Sequence, residues 1–122
     1  MIDGECLRNA FNKMTDLENS GYKPLYVQGT VTSKNLGKSF KHAWVELPEE
    51  KMVIDPTINL QISIKEYYQA FSPKQLVKLE PFTAAMLVVK GLRFYTKIEV
   101  TAAETRIKEL DSKMKSKRKT QK

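Results

Sequence analysis

The apolar residues change their spacing near residue 22, and that change sets the fold class. Between residues 4 and 19, Leu7, Ala10, Phe11, Met14 and Leu17 recur three or four apart, which aligns them on one face of a helix. Gly21 stands where such a helix would end. After Pro24 the chain becomes rich in β-branched and aromatic residues, in Leu25 to Thr32, Phe40 to Leu47 and Met52 to Asp55. The second run alternates strictly. Phe40, His42, Trp44 and Glu46 fall on one face, and Lys41, Ala43, Val45 and Leu47 on the other. Gly29, inside the first run, marks a bulge or a close backbone approach. A helix followed by strands joined through short polar turns predicts an α+β protein, with an N-terminal helix on an antiparallel sheet of three to five strands.

Ser63-Ile-Lys-Glu66 has the form of a capping box and predicts a helix over residues 64–71. Gln75 to Glu80 reads as a further strand. Residues 81–100 admit a helix from Thr83 to Val89 and a strand from Leu92 to Val100, because short apolar runs fit either element. Thr101-Ala-Ala-Glu104 is a second box, and Val100, Ala103, Ile107, Leu110 and Met114 form a helical stripe after it. A C-terminal helix over 102–118 follows.

The chain of 122 residues suits one domain. Its net charge of +7 is concentrated at the end: six basic residues and no acid lie between Lys113 and Lys122, which leaves residues 1–112 at +1. The division is therefore a domain over 1–111 and a basic tail over 112–122, a segment suited to nucleic acid or an acidic partner. No apolar run approaches the ~20 residues that a membrane-spanning helix needs. One cysteine excludes an internal disulfide and, with no signal-peptide pattern in Met1-Ile-Asp-Gly-Glu, points to an intracellular, cytoplasmic protein. No Gly-rich phosphate loop, paired cysteine motif or calcium loop is present, so neither a metal nor an organic cofactor is expected.

The chemistry rests on Cys6, His42 and Asp55. A thiol attacks carbonyl groups well once it is ionised, and the unpaired N–H groups of a helix N-terminus favour the thiolate. Cys6 sits in the first turn of the expected N-terminal helix. His42 lies on a strand, rigid enough to exchange a proton with the thiol. Asp55 closes the next strand, where a carboxylate can hold the imidazole tautomer.

Gly4-Glu5-Cys6, the run Gly21-Tyr-Lys-Pro-Leu-Tyr-Val-Gln-Gly29, His42-Ala-Trp-Val-Glu46 and Asp55-Pro-Thr57 together resemble the core of the transglutaminase-like superfamily of cysteine enzymes. The resemblance covers residues 4–57. It implies a papain-like Cys-His-Asp arrangement, with Cys6 as nucleophile, His42 as base and Asp55 as the orienting carboxylate. It further implies a hydrolase or acyltransferase acting on a protein or peptide substrate through a thioester. In that family a side chain before the cysteine helps hold the oxyanion, and only five residues precede Cys6. Gln28 and Tyr26 on the following strand are the candidates for that donor, and Trp44 for a wall of the substrate cleft. The alternative is a transglutaminase-like scaffold that binds without catalysis, docked through residues 112–122.

Overall fold

The computed structural model describes residues 3–34 and 37–120, with side chains described from Gly4 to Met114 within those limits. Five of the six basic residues of the C-terminal tail have side chains beyond Met114, so the expected partner surface lies outside the described residues.

Helix α1 spans Asp3–Asn19. It buries Cys6, Leu7, Ala10 and Met14, following the predicted stripe. Its end is a Schellman turn: Tyr22 N–H donates to the Leu17 carbonyl and Gly21 N–H to that of Glu18, each at 3.0 Å. Gly21 sits there at φ 96°, where a side chain would be strained.

The strands are β1 Leu25–Ser33, β2 Lys38–Leu47, β3 Met52–Asp55, β4 Leu60–Ser63 and β5 Lys74–Leu79. They form one sheet in the order β4-β3-β2-β1-β5, every neighbouring pair antiparallel. Helix α2 covers Ile64–Phe71, as the Ser63–Glu66 pair predicts. Ser63 Oγ accepts from Glu66 N–H at 3.1 Å and donates to Glu66 Oε1 at 2.9 Å. Helices α3 (Pro81–Lys90) and α4 (Lys97–Thr120) complete the chain.

The sheet is covered on both faces. Cys6, Leu7, Met14, Tyr26, Val45, Leu79 and residues of α3 and α4 form one core, and Val27, Val31, Trp44, Val53 and Tyr67 of α2 form the other. The alternation read in β2 is therefore real, with both faces buried. No helix among the described residues is long and apolar enough to cross a membrane.

Three expectations are corrected. β4 is absent from the sequence reading, because four residues carry too little alternation to register as a strand. Leu92 to Val100 forms no strand. Its backbone is satisfied instead by the buried amide of Gln28, which accepts from Tyr95 N–H at 2.8 Å and donates to the Arg93 carbonyl at 2.9 Å. The capping box of the last helix is Thr96–Glu99, not Thr101–Glu104: Thr96 N–H donates to Glu99 Oε1 at 3.0 Å and Glu99 N–H to Thr96 Oγ1 at 3.2 Å. α4 consequently starts five residues early, and it runs to Thr120 with no break at 111/112.

Candidate active site

β2 and β3 bring His42 and Asp55 together. β3 pairs with β2 only over Val45–Leu47, so His42 lies just past the paired stretch and Asp55 at the end of β3 turns toward it. His42 Nε2 and Asp55 Oδ2 are 2.7 Å apart, with the side chains 3% and 0% exposed. Tyr67 of α2 donates its hydroxyl to the same Oδ2 at 2.8 Å. The second carboxylate oxygen, Oδ1, and the second ring nitrogen, Nδ1, are buried and meet no hydrogen-bond partner in bonding geometry.

The thiol of Cys6 completes the group. Cys6 is 2% exposed, in the first turns of α1, and near enough to His42 that its thiol raises the imidazole's pKa. Burial alone would lower the His42 pKa. The Asp55 hydrogen bond, the Cys6 thiol and the charges of both outweigh it and lift the value from 6.5 to about 9. With Nε2 held by Asp55, Nδ1 is the ring nitrogen that no partner engages in bonding geometry. At neutral pH the ring is an imidazolium between a carboxylate and a sulfur, a protonation state suited to donating a proton to a leaving group.

Aromatic packing fixes the ring. Trp44 stacks on His42 at 6.1 Å between centroids with 27° between planes, and Phe40 meets it edge-on at 5.9 Å. Trp44 is fully buried, touches Tyr67 at 5.2 Å and donates Nε1–H to Glu46 Oε2 at 3.0 Å. It is thus a support stacked on the imidazole and set in the core. Glu46 is buried too, and accepts from Tyr68 Oη at 2.6 Å and from Lys78 Nζ at 2.9 Å.

Gly29 stands opposite His42 in the β1–β2 register, at a shift in the β1–β5 pairing. A Cβ there would lie 2.5 Å from Leu76 Cδ2 and 2.9 Å from the Lys74 carbonyl oxygen. Glycine is required because β5 and the Trp44 ring close in on this point.

The expected oxyanion donors are committed elsewhere. Tyr26 donates its hydroxyl to the Leu7 carbonyl at 3.1 Å, and burial pushes its pKa up. Both N–H groups of the Gln28 amide are engaged, one by the Arg93 carbonyl and one by Tyr26 Oη at 3.4 Å. These side chains join α1 to the 93–95 segment. Tyr67 is the residue that sequence reasoning passed over. Its signal was faint: a tyrosine pair, Tyr67-Tyr68, in a short capped helix.

No cluster of three or more potential metal ligands occurs among the described residues. Comparison with protein-family models, curated proteins and solved structures finds no match.

Proposed function

We propose that the chain is a transglutaminase-like cysteine hydrolase or acyltransferase. The observation that carries this reading is the buried His42–Asp55 pair at 2.7 Å. Burial works against the charged ring, and the carboxylate and the Cys6 thiol outweigh it, raising the imidazole pKa to about 9. The sulfur of Cys6 adds to the carbonyl carbon of an amide, ester or thioester, and the carbonyl electron pair moves to oxygen. N–H groups at the start of α1 stabilise that oxyanion. Collapse expels the amine, alcohol or thiol, which takes the proton of His42 and leaves a thioester on Cys6. Neutral His42 then removes a proton from water, whose oxygen attacks the thioester. The acid departs, and the thiolate and imidazolium are restored. An amine in place of water gives transfer.

The test is an activated acetyl ester, followed by intact-mass analysis. The expected result is a burst of leaving group with one acetyl on Cys6, lost in Cys6→Ala and slowed at least about a hundredfold in His42→Ala. Equal release from wild type and Cys6→Ala contradicts the reading.

A second reading has its own support. Cys6 and His42 are each only 2% exposed, and α4 continues unbroken into the basic tail. On this reading the domain binds nucleic acid or an acidic partner through residues 112–122. Deleting those residues abolishes a salt-sensitive association if the tail is the binding element, and leaves acyl transfer intact if the chain is an enzyme.

A further inference from the structure

We propose that the groove over Lys41 selects peptides bearing a carboxylate side chain; this deepens the thiol-enzyme reading and rests on it. Two cavities meet there. One, of about 570 Å³, is bounded by Gly4 and Leu7 on either side of Cys6, and by Phe40, Lys41 and Phe94. Gly4 and Leu7 belong to the turn of α1 that carries Cys6, and Phe40 is in ring contact with His42, so the cavity is walled by neighbours of the thiol and of the imidazole. The other, of about 370 Å³, runs past Gly29 and Thr30 to Gln75 and Lys97. Lys41 and Phe94 line both. The Lys41 ammonium lies over the Phe94 ring at 5.7 Å, on the divide between them.

The charge of the groove is one-sided. Its walls carry Lys41, Arg93 and Lys97, and no Asp or Glu among the described residues. Glu99 answers Arg93 through two hydrogen bonds. Lys41 and Lys97 are left as the cations facing the groove. Lone ammonium groups without a nest of backbone N–H donors suit a carboxylate better than a phosphate, which calls for several converging donors. Lys41 shares its face of β2 with Ala43 and Val45, which pack in one core with Cys6, so an acidic side chain held there positions the peptide on the thiol's side of the sheet.

The experiment uses the full chain and a set of tripeptide vinyl sulfones with Glu or Gln at each position in turn, Cys6 modification being followed by intact mass. At one position Glu should outpace Gln about tenfold at low salt, as a charge-assisted contact would give. Lys41→Gln should bring that ratio close to one. Equal rates at every position, or a Glu preference that survives Lys41→Gln, overturns the proposal. Failure of the underlying reading shows differently, as iodoacetamide alkylation of Cys6 that ignores His42→Ala. In that event, binding of the matched Glu and Gln tripeptide amides, read by NMR shifts at Phe94, still decides the groove. A Lys41-dependent preference for Glu supports it, and equal affinity overturns it.

Discussion

Asp55 holds the site together at the level of single residues. One buried carboxylate oxygen accepts from both His42 and Tyr67, at 2.7 and 2.8 Å. Removing the phenol leaves that oxygen with a single partner, and a buried hydrogen bond to a charged group contributes about 1.5–3 kcal/mol. Tyr67→Phe should therefore lower stability by that amount in urea unfolding, with the secondary structure retained; unchanged stability would mean that the phenol contributes nothing to holding Asp55. The juxtaposition of His42 and Asp55 was legible because one stood on an alternating strand and the other at the end of the next. Tyr67 was not. Its partner is twelve residues away and reached only through the turn that β4 makes. No local pattern announces such a contact. Gln28 was legible as a polar strand residue near the thiol, but its hydrogen bonds reach residues 93 and 95, which sequence spacing does not connect.

Among the elements, the β1–β5 junction decides how close β5 and Trp44 come to the site. Gly29 faces His42 across β1–β2, and a Cβ there would meet a backbone oxygen at 2.9 Å. A backbone atom cannot swing away as a flexible side chain can. Gly29→Ala should cost about 1–3 kcal/mol of stability in chemical denaturation, through forced separation of β1 and β5. A neutral result would mean that the bulge relaxes freely. The sequence pointed to this bulge or close approach through one glycine in a β-rich run. It misjudged the last helix because Thr96–Glu99 and Thr101–Glu104 carry the same capping pattern five residues apart. Tertiary structure chose the first: Arg93 joins Glu99, while the buried Gln28 amide fixes the residues just before it. Strand β4, four residues long, acquires its identity from pairing with β3 and not from its own composition.

For the molecule as a whole, the charged imidazole ties stability to pH. Folded His42 keeps its proton to about pH 9, against an ordinary value of 6.5. Between those values the folded state binds more protons than the unfolded one. The stabilisation is complete below about pH 6.5 and disappears as pH rises through 9, an effect on the order of 3 kcal/mol. Urea midpoints measured from pH 6 to 9.5 should fall accordingly, and His42→Gln should flatten that dependence. A wild-type profile with the same slope as His42→Gln would show that the imidazole is not held charged. The helix-and-sheet frame, covered on both faces, makes such a charge tolerable by holding the Asp55 carboxylate at hydrogen-bond distance from the ring. Whether that arrangement arms the sulfur is tested most directly by the rate at which iodoacetamide alkylates Cys6 between pH 5 and 9. An armed thiol–imidazole pair reacts readily at pH 6, and His42→Ala slows it there at least about tenfold. A rate that climbs steadily to the alkaline end and is the same in His42→Ala would contradict the account.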